Sequence, residues 1–454
     1  MDTNSKLNNW EDPHYVHPWH DFKKEANHFA LASKGEGIYI YDQNGSRHID
    51  GPGGMWCVNL GYGRTEIADA ISEQAKRLPY CSPWYYSNEP AANLAKKIAE
   101  RTPGDLNNVF FTTCGSTAID SALRFVQFYF NFLDQPQKKT VIARDKGYHG
   151  STYFAASISG KERDKRKLDT LSENVSFLSD VNPNLRHTTE TESQWCDKKV
   201  TELEEKILEL GAENVAAFVA EPILASGGVV IPPKGYHKRT KTICEKYEVL
   251  YISDEVVTGF GRLGHWFASE EVFDIIPDII TCAKGLTSGY IPMGATIISN
   301  KLMQNLQNTN YEEIIFSNGF TYSGHPVSAA AGLKVIEIME RENTLQHVQS
   351  ITPLFQERLK AIETKFSIVK EARGIGLLGC LEGNIGTSTT EESKLKKDYD
   401  FGSLIDKAAE KRGLIIRPII NMCVFSPPLT ITKEEINILF DILEESLKEV
   451  ENTI

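Results

Sequence analysis

An acidic pair, Asp254-Glu255, and a lysine, Lys284, stand at the ends of two short apolar runs, thirty residues apart. The first run, Val249-Leu250-Tyr251-Ile252-Ser253, leads into Asp254. The second, Ile279-Ile280-Thr281-Cys282-Ala283, leads into Lys284 and then Gly285. Both runs are rich in β-branched residues and bounded by turn residues, the pattern of strands buried in a parallel sheet. In an open α/β sheet, side chains just past the carboxyl ends of the strands face the ligand crevice. A carboxylate and an amine delivered there suit pyridoxal phosphate: the amine bonds its aldehyde, and the acid keeps its ring nitrogen protonated so that the ring accepts electrons. The simpler alternative is a turn cap at Asp254 and a solvated loop lysine at position 284. The segment alone does not separate the two.

A phosphate needs backbone N–H donors at a helix start, in a small, hydroxyl-rich turn. Thr112-Thr113-Cys114-Gly115-Ser116-Thr117 offers that between an apolar run and a helical pattern. Gly115 permits close approach, and Ser116 or Thr117 can cap the helix or bind the anion; a plain N-cap is the alternative. Gly147-Tyr148-His149-Gly150 follows another apolar run, where Tyr148 can stack on a flat ring.

The elements that must position these groups alternate. Strands are predicted at 109–113, 141–144, 175–178, 216–221, 250–254, 279–283 and 295–299, with helices at 116–132, 197–210 and 237–247 between them. Such alternation predicts an α/β fold with a mostly parallel central sheet and helices on both faces. At the N-terminus, 37–42 alternates like a strand, Asn44-Gly45 turns, and 47–50 returns, making a hairpin; 65–78 follows as an amphipathic helix. After Pro326 one long helical run to about 364 precedes a strand at 368–372, a polar insert at 383–397 and a final helix from Thr432, a smaller α+β unit. The expected division is 1–60 as an arm and hairpin belonging to the small domain, 61–330 as the large cofactor-binding domain, and 331–454 as the C-terminal small domain.

Composition narrows the function. The 454 residues carry 49 basic and 61 acidic side chains, a net charge of −12. That balance argues against nucleic-acid or anionic-membrane partners, which want clustered positive charge. Eight cysteines are scattered singly, as in a reducing compartment, and no signal peptide or spanning run is visible, so a cytoplasmic protein is expected. His14, His17 and His20 lack metal-site spacing; we expect no metal, and an arm that packs on another surface. Two runs, Gly259 to Gly264 and Gly374 to Gly379, match G-x-G-x-x-G literally. The first has Asp254-Glu255 close before it, which would repel a pyrophosphate, and the second leads into a strand-like segment. Both speak against a nicotinamide-dependent oxidoreductase.

With these residues in view, the chain resembles the class III pyridoxal phosphate-dependent aminotransferases of fold type I over nearly its whole length. The resemblance rests on WCVNLGYGR (56–64), TCGSTA (113–118), GYHG (147–150), EPI (221–223), DEVVTGFGRLG (254–264), AKGLTSGYIPMGA (283–295), TYSGHP (321–326), RGIGLLG (373–379) and RPIINMCVFSPPLTIT (417–432), in that order. Two of these, WCVNLGYGR and TYSGHP, resemble the ω-aminotransferases that use pyruvate. The resemblance implies that Lys284 bonds the cofactor and then moves a proton at the substrate carbon, and that Asp254 pairs with the pyridine nitrogen. It implies Val256 and Tyr148 on the two ring faces, Gly115, Ser116 and Thr117 at the phosphate, and Glu221 near the ring hydroxyl. Thr321 would reach the neighbouring subunit's phosphate in a homodimer. Trp56, Trp84 and Tyr85 would line the substrate pocket with Tyr148, and Arg417 would bind a keto acid's carboxylate and swing aside for amines without one. The expected reaction moves an amino group from an amine, diamine or ω-amino acid to a keto acid such as pyruvate, by a ping-pong route. Related alternatives are diaminopelargonate or ornithine-type transfer, or an aminomutase. Two departures stand out: Thr117 and Ile119 replace the commoner acidic and Asn residues, and Ile420-Asn421 stands where Gly-Asp is common.

Overall fold

A computed structural model describes residues 14–19, 22–23, 31–384 and 390–454. The central sheet has seven strands, in the order Leu106–Thr112, Gly294–Ser299, Ile279–Cys282, Leu250–Asp254, Val215–Ala220, Thr140–Arg144 and Val175–Leu178. Only Gly294–Ser299 runs against its neighbours; the other pairings are parallel. All seven predicted strands are present, with ends shifted by three residues at most. The middle strand Val215–Ala220 is buried along its whole length, because helices cover both faces and no position can face water. Each fully buried Val or Phe there contributes roughly 1.5–3 kcal/mol.

Two smaller sheets flank it. Ala32–Glu36, Tyr39–Asp42 and Arg47–Asp50 form a meander that Leu414–Ile415 joins in parallel. Val369–Ile375, Leu378–Gly383, Met422–Phe425 and Arg417–Ile419 form an antiparallel sheet. The N-terminal hairpin therefore pairs with the C-terminal part of the chain, and one continuous core runs from Ile38 and Ile49 to Phe355, Phe425 and Phe440.

Several expectations are corrected. The first strand of the meander was not foreseen: ASKGE is almost wholly exposed, so it has no apolar alternation to read. The helical run after Pro326 is two helices, Pro326–Arg341 and Thr344–Lys365, broken where Asn343 turns left-handed at φ 51°. The polar insert is part helix: Thr390 caps Glu391–Glu410 by accepting the Ser393 N–H, and 385–389 lie outside the described residues. Of the arm, Trp19 lines the cavity described below. Of the two glycine runs, Gly374 to Gly379 is a β-hairpin turn rather than a helix start. Among the described residues no cluster could hold a metal ion, and no helix is long and apolar enough to cross a membrane; His20 lies outside them.

Candidate active site

A cavity of about 930 Å³ opens at the carboxyl ends of the central strands, where a parallel sheet places its ligands. Asp254 is the last residue of its strand, and Lys284 follows the end of its own strand by two residues. Both line this cavity. Lys284 has φ 44°, a left-handed backbone that non-glycine residues rarely adopt and that recurs at functional sites. Burial pulls its amine down to about 8, so a useful fraction is unprotonated near neutral pH.

Asp254 is buried and its carboxylate is held from three sides. The ring nitrogen Nδ1 of His149 donates to Oδ2 at 2.7 Å. The Val256 N–H and the Thr281 hydroxyl donate to Oδ1 at longer range, 3.2 and 3.3 Å. His149 was not singled out beforehand, although it lies inside the motif that suggested Tyr148. Its signal is a histidine in a glycine-bounded turn at a strand end, and the partner is 105 residues away. Glu221 is equally fixed: the N–H groups of Tyr148 and Ala225 donate to its two oxygens at 2.9 and 3.1 Å. Burial raises its carboxyl above the ordinary range, the His149 and Arg144 charges working against that shift.

The anion end is the start of the helix Gly115–Phe132. Gly115 and Ser116 line the cavity. A Cβ at Gly115 would lie 3.0 Å from the Val256 side chain, so any larger residue would push Val256 from its present place. Ser116 Oγ accepts the Ser151 N–H at 3.0 Å, which leaves its proton to donate. Thr117 is in the turn but does not line the cavity; its hydroxyl accepts the N–H groups of Thr113 and Cys114 and closes the turn from behind. Its side chain is thus engaged in closing the turn, one residue behind Gly115 and Ser116.

Val256 and Tyr148 both line the cavity, as do Trp56 and Arg417. Trp56 is held at φ 61° after two left-handed glycines, Gly53 and Gly54. The Asp50 carboxylate accepts the Gly54 N–H at 2.7 Å and the Tyr62 hydroxyl at 2.5 Å, fixing that turn. The Lys284 amine and the Arg417 guanidinium lie 4.9 and 5.1 Å from the Trp56 ring centre. Among the described residues Arg417 makes no ion pair or hydrogen bond; Trp19 covers it at 5.8 Å. The Trp56 indole N–H is buried and has no acceptor among the described residues. A five-donor guanidinium and an orphan N–H in one pocket match a carboxylate. The unusual Ile420-Asn421 pair adopts the same kind of turn a glycine would: Ile420 sits at φ 63°, and the Asn421 side chain donates to the Gly383 carbonyl at 3.0 Å.

Three predicted residues lie elsewhere. Trp84 and Tyr85 do not line this chain's cavity; they sit 86 % and 79 % exposed in the turn after Ser82. Thr321 is also exposed, and its carbonyl accepts the Tyr80 hydroxyl at 3.0 Å.

The donor set fits pyridoxal phosphate: a half-buried amine of lowered basicity, an oriented buried carboxylate, and a helix start with a serine hydroxyl share one cavity. Residues 22–447 match the family model described as aminotransferase class-III. The chain is 38 % identical to the putrescine–pyruvate aminotransferase of Pseudomonas aeruginosa, over 98 % of this chain and 97 % of that one. It is 36 % identical to a mitochondrial γ-aminobutyrate transaminase of Oryza sativa, over 94 % and 83 %. The crystal structure of a Vibrio fluvialis aminotransferase in its pyridoxamine phosphate-bound form superposes with a TM-score of 0.90 at 32 % identity, covering 96 % of each chain. Matched from one end to nearly the other, and with the fold that family takes, the chain belongs to the class III pyridoxal phosphate-dependent aminotransferases.

Proposed function

We propose that this chain is an ω-aminotransferase that takes an amino group from an amine, diamine or ω-amino acid and delivers it to pyruvate. The observation that carries the reading is Arg417, a guanidinium without an ion pair among the described residues and on the same indole ring as the Lys284 amine. A keto acid's carboxylate bound there is held beside the amine, and a carboxylate-free donor needs no such partner. The named activity of the Pseudomonas relative supports pyruvate as acceptor.

When bound, pyridoxal phosphate supplies an electron sink for the carbanion formed next to the substrate nitrogen. Lys284 would hold it covalently, then move the proton at the substrate carbon. Asp254, aligned by His149, would neutralise the ring nitrogen, with Val256 and Tyr148 on the ring faces. Gly115 and Ser116 would hold the phosphate, and Glu221 would face the ring hydroxyl.

The working unit is a homodimer in this reading. Trp84, Tyr85 and Tyr86 are exposed, as is Thr321, whose carbonyl accepts the Tyr80 hydroxyl. Aromatic side chains this exposed usually mark an interface, and Thr321 would complete the neighbour's phosphate site. The three-part division at about residues 60 and 330 and a cytoplasmic location belong to the same proposal; eight free cysteines support a reducing compartment.

The test is alanine formation from pyruvate with a panel of amine donors, set against 2-oxoglutarate as acceptor. Glutamate formation without alanine would overturn the acceptor assignment.

A further inference from the structure

Two polar side chains in the cavity are left without partners by the assignments above. Lys161 lines it with its ammonium 5.6 Å from the centre of the Tyr148 ring. Among the described residues it has no ion pair and no hydrogen bond. The carboxylates nearest in charge are committed elsewhere: Asp164 is bound to Arg163 at 2.8 Å, and both Glu221 oxygens take backbone N–H groups. Burial pulls the Lys161 amine down to about 8, with the Arg163 and Arg417 charges adding to it and Asp164 and Glu221 opposing it. Ser226 also lines the cavity. It is only 8 % exposed, and its hydroxyl has no partner among the described residues.

The two come from loops that flank one turn. Gly160, just before Lys161, accepts the Lys146 N–H at 3.0 Å and donates to the Gly147 carbonyl at 2.9 Å. Gly227, just after Ser226, packs so closely on Lys146 that a Cβ would lie 3.0 Å from its carbonyl oxygen. Tyr148 follows Lys146 by two residues, and Lys161, Ser226 and Tyr148 all line the cavity. A half-buried ammonium and a buried hydroxyl without partners are costly unless something brings an oxygen to them. A carboxylate satisfies both, since it accepts from an ammonium and from a hydroxyl.

We propose that Lys161 and Ser226 form a second carboxylate subsite, separate from Arg417, that receives the distal carboxylate of an ω-amino acid donor. This rests on the aminotransferase reading and deepens it. The subsite ranks donors by the charge at their far end: a carboxylate is drawn in, a second ammonium is repelled by Lys161, and a methyl group is neither.

Three four-carbon donors that differ only at that end test it: 4-aminobutyrate, 1,4-diaminobutane and butylamine, each with pyruvate. In Lys161→Met the ratio of kcat/KM for 4-aminobutyrate over butylamine should fall tenfold or more, while the ratio for 1,4-diaminobutane over butylamine rises. Lys161→Arg should keep most of the first ratio, and Ser226→Ala should lower it less than Lys161→Met does. A Lys161→Met ratio within twofold of the parent overturns the proposal. A second measurement needs no turnover. Butyrate is titrated by calorimetry into protein carrying Arg417→Ala, where the other carboxylate site is gone. Adding Lys161→Met should weaken its binding at least fivefold, and unchanged affinity overturns the subsite. If the parent protein makes no alanine from any donor, the aminotransferase reading with pyruvate fails instead, and the butyrate titration still decides the subsite.

Discussion

Replacing His149 by leucine isolates the alignment of Asp254. In the native arrangement the imidazole N–H is the short contact, 2.7 Å, and the other two donors stand at 3.2 and 3.3 Å. The substitution therefore removes the shortest of three bonds to a buried carboxylate, and leucine offers no donor in its place. Hydrogen bonds to charged groups contribute about 1.5–3 kcal/mol. If that alignment is felt in the transition state, the expected loss in kcat is roughly 10- to 150-fold at about 1.4 kcal/mol per tenfold. The assay is the half-reaction with an amine donor under single-turnover conditions, followed by absorbance, so that product release does not mask the chemical step. Thermal unfolding of the cofactor-loaded protein is measured alongside, since a merely structural histidine would lower Tm without slowing the loaded enzyme. A single-turnover rate within twofold of the parent would refute the reasoning, and Asp254 would then be positioned by its backbone alone.

Lys284→Ala should abolish turnover, checked with the donor panel at high enzyme concentration; retained activity would move the reacting amine elsewhere. Arg417→Ala should raise KM for pyruvate at least tenfold and KM for butylamine far less, read from ping-pong kinetics at varied concentrations of both substrates. Gly115→Ala should weaken cofactor binding, because the added methyl must displace Val256 from 3.0 Å; fluorescence titration of the cofactor-free protein with pyridoxal phosphate measures it. The Lys284 amine is pulled down by burial from 10.5 to about 8. Between those values the unfolded chain binds a proton that the folded cofactor-free protein does not, so stability rises with pH across that window and burial costs up to about 3 kcal/mol below it. Lys284→Met should therefore raise the Tm of the cofactor-free protein at pH 7, and the gain should vanish towards pH 10.5.

What was legible in the chain was whatever a strand or a helix start decides locally. Asp254 and Lys284 could be read because a buried parallel strand is a continuous apolar run, and the residue that ends it must enter the crevice. Gly115 and Ser116 could be read because a strand-to-helix turn exposes N–H groups wherever it occurs. The contact between His149 and Asp254 was hidden because it spans 105 residues and neither residue's neighbours mark it. Thr117 shows a different limit: a hydroxyl at a helix start can face the ligand or close its own turn, and the choice depends on whether nearby N–H groups lack acceptors, which two here did. Trp84 and Tyr85 show a third. Aromatic residues mark a place where something apolar is to be covered, but composition does not say whether the cover comes from the same chain. Their 86 % and 79 % exposure takes them off the wall of this chain's own pocket, and under the proposed homodimer the cover would come from the neighbouring subunit. The same logic separates Lys161 from the many other lysines of the chain: its type and spacing are ordinary, and only its place on the Tyr148 ring without a counter-ion makes it a candidate for recognition.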